Sequence, residues 1–445
     1  QSEALMKKLL LKFTVIVVLS LSALPAQANM VPKRSVLDNG MVLLTSEQHA
    51  LPMVAIELTI DAGSRHESAH QAGLANLTAK LLTFGTARRS ALQISETLDF
   101  IGASLSSGAG ENVASISMTI LKKDLTTGLE LLAEILTSST FPQAEIDRQK
   151  QEVIAAIKAQ EEDPGAVAGR AFAAALFPQS AYGRPVEGTE ASVKSLPAQS
   201  LKDFFTRYYR PNRSIISVVG DVSEQEISQA LNQALRAWKK GAESMPPPAP
   251  STIGAPQTIR VNKALTQASI ILGHAGVPRR HPDYYAIQVM NYILGGGGFS
   301  SRAMDSIRNE RGLAYSVYSY FAADQSHGSF QFVMQTKNES AAEAIRLAQD
   351  EIRKLRERPV SEQELNDAKN YLIGSFPLRF DTNHKVAGFL GQVELFGLGL
   401  DFADRYGELI GKVSRDDVLR VAKQFLQPEK LITVIVGDQK KIALK

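Results

Sequence analysis

The sequence predicts an α+β fold with two homologous domains, each a mixed β-sheet with helices on one face, facing each other as a clamshell. The length of 445 residues is ample for two domains. A proline-rich linker over 244–256 divides the chain into halves of similar length. The halves also end alike, because a proline, a β-branched run and a Gly-Asp pair recur from Pro211 and from Pro428, 217 residues apart. Such a repeat indicates an internal duplication.

The order of the predicted elements is similar in the two halves. Val54, Ile56, Leu58 and Ile60 alternate with other residues, as in a half-buried strand. In the first half the predicted elements are a strand at 54–60, helices at 74–82 and 98–101 and a strand at 115–121; in the second they are a strand at 268–272, helices at 283–294 and 303–309 and a strand at 330–335. We therefore expect an N-terminal domain over 29–243 and a C-terminal domain over 257–445.

Residues 1–28 have the pattern of a secretory signal peptide. Three lysines precede an apolar run over 13–21, and Ala26-Gln27-Ala28 is a small-x-small cleavage site. The run is short for a membrane span, so we expect no span after cleavage and a periplasmic or secreted protein; an uncleaved anchor is the alternative. The absence of cysteine excludes disulfides and thiolate metal sites. The net charge of +3, without a basic stripe, does not indicate nucleic-acid binding.

The most informative segment is the amphipathic helix predicted over 74–82, between Gly73 and Gly85. Its apolar and glycine positions match the pattern G-x-A-H-x-x-E-H-x-L-x-x-G-T at every fixed position, but the three chemical positions do not match. Asn76 and Lys80 stand where that motif has two zinc-binding histidines, and Ala79 stands where it has a general-base glutamate. An ammonium group repels a zinc ion, and an asparagine amide is a poor ligand for it.

Further short motifs follow in a fixed order along the chain. They are Asp99-Phe100-Ile101-Gly102-Ala103, Tyr182-Gly183-Arg184-Pro185, Tyr208-Tyr209-Arg210-Pro211-Asn212 and Arg311-Gly312-Leu313-Ala314-Tyr315-Ser316. With the helix, they make the chain resemble the insulinase/pitrilysin/mitochondrial processing peptidase family, the inverzincins, over nearly all of its mature length. The resemblance places the family's third zinc ligand, a glutamate, at Ala156. We therefore expect no metal or other cofactor in this chain, and zinc in a partner subunit of the same family with an intact H-x-x-E-H helix.

The resemblance also indicates which functional residues the chain retains. Family members carry an arginine and, seven residues later, a tyrosine that point towards the metal site, and Arg308 and Tyr315 have this spacing. An arginine fork can hold a carbonyl or carboxylate, and a tyrosine hydroxyl can donate to a developing oxyanion. Gly295-Gly296-Gly297-Gly298 is predicted to be a flexible turn between helices, near the substrate path of the family.

Three functions follow as hypotheses. The preferred one is a non-zinc subunit of a heterodimeric periplasmic zinc endopeptidase, which supplies Arg308 and Tyr315 in trans to a peptide substrate. The alternative is a non-enzymatic peptide-binding or assembly protein of the same fold. The third is zinc binding through His66-Glu67-Ser68-Ala69-His70, which matches the H-E-x-x-H signature. Because no helical apolar stripe flanks that motif, we interpret it as a connecting loop with solvated histidines.

Overall fold

The computed structural model describes residues 31–243, 249–252 and 255–443. The predicted signal peptide and the proline-rich centre of the linker lie outside these residues. Among the helices of the described part, none combines the length and the apolar character needed to cross a bilayer.

The first half forms a six-stranded mixed sheet. Its strands are β1 (Lys33–Val36), β2 (Val42–Glu47), β3 (Met53–Ile60), β4 (Ser104–Ala109), β5 (Ala114–Leu121) and β6 (Ser214–Gly220). Their order in the sheet is β1-β2-β6-β3-β5-β4, in which β2 and β6 are parallel and all other neighbours are antiparallel. Its helices are α1 (Leu74–Leu81), α2 (Ala91–Phe100), α3 (Leu125–Ser138), α4 (Gln143–Glu162), α5 (Pro164–Leu176), α6 (Glu190–Ser195), α7 (Ala198–Tyr208) and α8 (Glu224–Ala234).

The second half repeats this arrangement with five strands. They are β7 (Gln257–Asn262), β8 (Gln267–Ala275), β9 (Ala314–Ala323), β10 (Gly328–Lys337) and β11 (Ile432–Gly437), in the order β7-β11-β8-β10-β9. As in the first sheet, only the pair formed by the final strand of the half, β11 with β7, is parallel. Its α-helices are α9 (Tyr284–Asn291), α10 (Ala341–Glu357), α11 (Glu362–Ser375), α12 (Asn383–Leu395), α13 (Phe402–Gly411) and α14 (Arg415–Phe425).

The predicted strands and helices are present, with two differences in the second half. The helix predicted over 283–294 begins as α9 and continues as a π-helical turn over Tyr292–Gly296. The helix predicted over 303–309 is a π-helical segment, Met304–Asn309.

Each sheet is covered on both faces. One face packs on helices of its own half in a large apolar core. The other face receives a helix from the opposite half. Helix α5 places Ala168, Phe172 and Leu176 against β8 and β11, and α12 places Val386, Ala387 and Leu390 against the first sheet. At these two contacts the interface between the halves is apolar.

Candidate functional site

Helix α1 lies where the resemblance places the metal-binding helix, and almost all of it is buried. Asn76 is 6% exposed, and its Nδ2 atom has no hydrogen-bond partner. Ala79 is fully buried, and its carbonyl accepts a hydrogen bond of 2.8 Å from the hydroxyl of Ser107 on β4. Lys80, one turn after Asn76, is exposed. The helix therefore presents an amide and an ammonium group on one face, and no acceptor suited to a cation.

The position that the resemblance assigns to the family's third zinc ligand is on α4, which packs against α1. Ala156 lies on an exposed part of α4 and offers only a methyl group. Catalytic zinc needs three protein ligands and a base, whereas these four positions offer one amide, one ammonium group and two methyl groups. The residues present do not fit a zinc ion, and no catalytic step through a metal can be assigned to this helix.

Glu67, at the centre of the H-E-x-x-H segment, caps the start of α1. Its carboxylate accepts hydrogen bonds from the N–H groups of Gly73 at 3.0 Å and Ala75 at 2.5 Å, and the residue is 7% exposed. These N–H groups have no acceptor within the helix, so the carboxylate satisfies them. Burial raises the pKa of Glu67 to about 7, against the opposing hydrogen bonds from Ala75 and Gly73. Glu67 therefore has a structural role, because its carboxylate is occupied by backbone N–H groups and is not positioned to act as a general base.

The segment around Glu67 is a loop with two short 3₁₀ turns, as predicted, but only one of its histidines is solvated. The ring of His66 bonds to Asp61 at 2.7 Å, stacks on Tyr208 at 4.5 Å, and lies beside Arg213. The interpretation of His66 as a solvated histidine was therefore wrong, because its loop folds back onto an ion-pair network. His70 is exposed and contacts Ser68.

Arg308 and Tyr315 are brought together by a tight turn between the π-helical segment and β9. The N–H of Gly312 donates to the carbonyl of Arg308 at 2.9 Å, and Gly312 has a φ of 63°, which favours glycine. Tyr315 is the second residue of β9, so its ring lies 5.4 Å from the Arg308 guanidinium. The seven-residue spacing thus places the two side chains in contact.

The guanidinium of Arg308 is held by aromatic rings and has no acidic partner. Phe299 lies on it at 4.9 Å, and within the described residues no carboxylate comes within 4.0 Å of it. Phe299 is 72% exposed and Tyr315 is 79% exposed. A cleft of about 350 Å³ beside the pair is also lined by Gln267, Gln335 and Lys337. The arrangement can accept a carbonyl or carboxylate from outside the chain.

This aromatic-arginine cluster (Phe299, Arg308 and Tyr315) borders an open sheet edge, because β9 is the last strand of its sheet. Tyr318, three residues further along β9, is 43% exposed. An edge strand offers unpaired N–H and C=O groups to an extended peptide. In the described part of the chain, no hydrogen bond or ion pair joins Arg308 or Tyr315 to the positions of the degenerate zinc site.

The glycine run differs from its prediction as a flexible turn. Gly295 and Gly296 belong to the π-helical turn, and only Gly297 and Gly298 lie in the connection that follows. Gly295 is buried, and a Cβ atom there would lie 2.6 Å from the backbone N of Ser319 on β9. The prediction was wrong for these first two glycines, because the helix approaches the sheet closely at Gly295.

One further cluster was missed by sequence reasoning. Glu111, Asp324 and His327 each place a ligand-type atom within 4.8 Å of the others. Glu111 lies between β4 and β5, whereas the other two lie between β9 and β10, more than 200 residues away. Burial and the neighbouring Asp324 raise the pKa of Glu111 to about 7. No local spacing in the sequence could have shown this group, because only the packing of the halves brings it together.

The fold and the site define a two-domain metallopeptidase scaffold whose metal helix lacks its ligands. The chain belongs to the insulinase family, peptidase family M16. A model described as Insulinase (Peptidase family M16) matches residues 42–190, and one described as Peptidase M16 inactive domain matches residues 195–372. The family resemblance is thereby confirmed.

Several relatives are similar over most of their length. An uncharacterised zinc protease of Streptomyces coelicolor is 28% identical over 91% of this chain and 89% of its own. A non-peptidase homologue of Helicobacter pylori is 26% identical over 93% of this chain and 96% of its own. A crystal structure described as a peptidase M16 inactive domain from Pseudomonas fluorescens has a TM-score of 0.88 and 28% identity, and covers 94% of this chain and 99% of that one. A protease from Helicobacter pylori shares the fold, with a TM-score of 0.83 at 19% identity, over 92% of this chain and 99% of that one.

Proposed function

We propose that this chain is the non-zinc subunit of a heterodimeric zinc endopeptidase of the periplasm. A partner of the same family with an intact H-x-x-E-H helix would bind zinc and activate water. This chain would supply Arg308 and Tyr315 to the peptide in trans. The predicted signal peptide supports a periplasmic location, and the shared strand order of the two sheets supports the duplication that the sequence predicts.

The observation that carries the proposal is the contrast between the two candidate sites. The metal positions hold groups that cannot bind zinc, while Arg308 lies in an exposed aromatic cluster and has no acidic partner among the described residues. A guanidinium with no carboxylate near it has unused donors for a substrate carbonyl. The hydroxyl of Tyr315, which is exposed, could stabilise the oxyanion of the transition state.

The experiment is co-expression with a zinc-binding family member, followed by measurement of peptide cleavage. We expect Arg308→Ala and Tyr315→Phe each to lower kcat/KM by about 100-fold to 1000-fold, the typical cost of losing one transition-state hydrogen bond. Tyr318→Phe is the matched control for the tyrosine, because Tyr318 is exposed on the same strand. Arg311→Ala is the control for the arginine, since Arg311 is exposed and pairs with Glu343 at 3.7 Å. Unchanged turnover in both test variants would refute the in-trans role.

A non-enzymatic function is the second candidate, and the open edge of β9 favours it. A peptide could pair with this edge and contact the aromatic-arginine cluster without being cleaved. In that case a labelled peptide library would bind the purified chain, and binding would weaken in Arg308→Ala. Pull-down of this chain from periplasm would then recover no metallopeptidase of the family.

A further inference from the structure

The loops that meet between the two halves contain three potential ligands. Glu111 belongs to the turn between β4 and β5, and Asp324 and His327 belong to the turn between β9 and β10. These strand pairs occupy equivalent places at the ends of their sheets. Two carboxylates and an imidazole, contributed by opposite halves, therefore converge within 4.8 Å.

In the described part of the chain, the three side chains do not bind one another. Among the described residues, no hydrogen bond or ion pair joins the three side chains, and no lysine or arginine lies within 4.0 Å of either carboxylate. Asp324 Oδ1 accepts the N–H of Gln325 at 2.5 Å, and His327 Nδ1 lies 3.4 Å from the hydroxyl of Ser326. A surface cluster of similar composition behaves differently. His49 contacts Asp221 at 2.6 Å and Glu47 at 3.7 Å, and Lys122 and Lys33 pair with those carboxylates. The carboxylates of the surface cluster pair with lysines, whereas within the described residues Glu111 and Asp324 have no such ion pair.

The backbone of both turns is fixed by hydrogen bonds. The carbonyl of Glu111 accepts from the N–H of Arg65 at 2.9 Å. The N–H of Asp324 donates to the carbonyl of His327 at 2.8 Å, and the carbonyl of Asp324 accepts from the N–H of Arg279 at 2.7 Å. The backbone that carries the three side chains is therefore fixed before any ligand arrives.

The ring of His327 is held by two aromatic side chains. It lies 4.0 Å from the ring of Tyr182 and 5.1 Å from that of Phe177, both of which follow helix α5. An imidazole oriented by its surroundings and close to two carboxylates is a donor set that suits a divalent transition metal.

We propose that Glu111, Asp324 and His327 bind one divalent transition-metal ion, such as zinc, as a clasp between the two halves. Tetrahedral ligands at about 2.1 Å from zinc lie about 3.4 Å apart, so the ligand atoms, now within 4.8 Å of one another, need to approach by up to about 1.4 Å. Water would complete the coordination. This proposal departs from the expectation from the sequence that the chain binds no metal; the proposed site is separate from the degenerate helix and structural in role.

The test is zinc binding by the purified full chain, free of any polyhistidine tag and stripped with a chelator. We expect calorimetry to show one zinc ion per chain and thermal unfolding to shift upwards with added zinc. His327→Gln and Glu111→Gln should each raise the Kd at least tenfold while circular dichroism shows an unchanged fold. His49→Gln is the matched control and should bind zinc like the parent chain.

Two results would overturn the clasp. One is the absence of stoichiometric binding at about 100 µM zinc, which would mean a Kd well above the micromolar range. The other is unchanged affinity in the double variant Glu111→Gln/His327→Gln. Because the measurement needs neither a partner nor a peptide, its failure would leave the proposed peptidase role untouched.

Discussion

Replacement of Glu67 tests whether the H-E-x-x-H segment has a structural or a catalytic role. Its carboxylate accepts hydrogen bonds from the N–H groups of Gly73 and Ala75 at the start of α1. Glu67→Ala leaves both buried N–H groups without an acceptor, and each such loss costs about 1–3 kcal/mol. We expect a total loss of about 2–4 kcal/mol in the free energy of unfolding at pH 7.

The pH dependence of a second variant, Glu67→Gln, provides a sharper test. Burial raises the pKa of Glu67 from 4.5 to about 7, so the native carboxyl binds a proton more tightly than the unfolded chain does. This contribution to stability is fully present below the unfolded pKa and is lost as the pH rises through about 7. Glutamine does not titrate, so the cost of Glu67→Gln should be largest at pH 5 and should shrink by pH 8. The shift limits that change to about 3 kcal/mol.

The assay is urea unfolding followed by tryptophan fluorescence and circular dichroism, between pH 5 and pH 8. His70→Ala is the matched control, because His70 is exposed and contacts only Ser68 among the described side chains. We expect it to change the unfolding free energy by less than about 0.5 kcal/mol. If Glu67→Ala and His70→Ala are equally mild, the capping account is wrong. If Glu67→Gln has the same cost at every pH, burial does not raise the pKa of Glu67.

Two further predictions concern the second half of the chain. Burial opposes ionisation of Glu364, but hydrogen bonds from Arg302 and Ser361 outweigh it and lower its pKa to about 2. Its stabilisation is thus present above pH 4.5 and is lost as the pH falls towards 2, so Glu364→Gln should cost about 1–2 kcal/mol at pH 7 after solvent screening and nothing at pH 2. Gly295→Ala should destabilise the protein by about 2 kcal/mol or more, because the new Cβ would meet backbone atoms, whereas Gly374→Ala, in an open part of α11, should stabilise it by up to about 1 kcal/mol. Denaturant titrations at pH 7 and an acid titration check both, and equal effects of the two glycine variants would contradict the close packing at Gly295.

The sequence predicted those features that depend on local periodicity or on a short motif. The alternation at 54–60 predicted β3, and the leucine spacing predicted α1, the helix that carries Asn76 and Lys80. The spacing of Arg308 and Tyr315 also corresponds to a real contact, because one glycine turn separates them.

Features that depend on packing between distant segments could not be predicted in this way. Helices α5 and α12 have apolar faces like any buried helix, and nothing local shows that each covers the sheet of the other half. The loop position of Glu67 could be recognised, but its use as a cap depends on how the loop folds back onto α1. The cluster of Glu111, Asp324 and His327 forms only when both halves have folded and met.

The central claim is that this polypeptide has the M16 architecture but does not carry out metal-dependent hydrolysis alone. The most direct measurement is cleavage of a peptide library by the isolated chain in the presence of saturating zinc, with and without chelator. We predict no cleavage in either condition, and chelator-sensitive cleavage only when a partner with an intact H-x-x-E-H helix is added. Chelator-sensitive cleavage by the isolated chain, at a rate proportional to its concentration, would contradict the account.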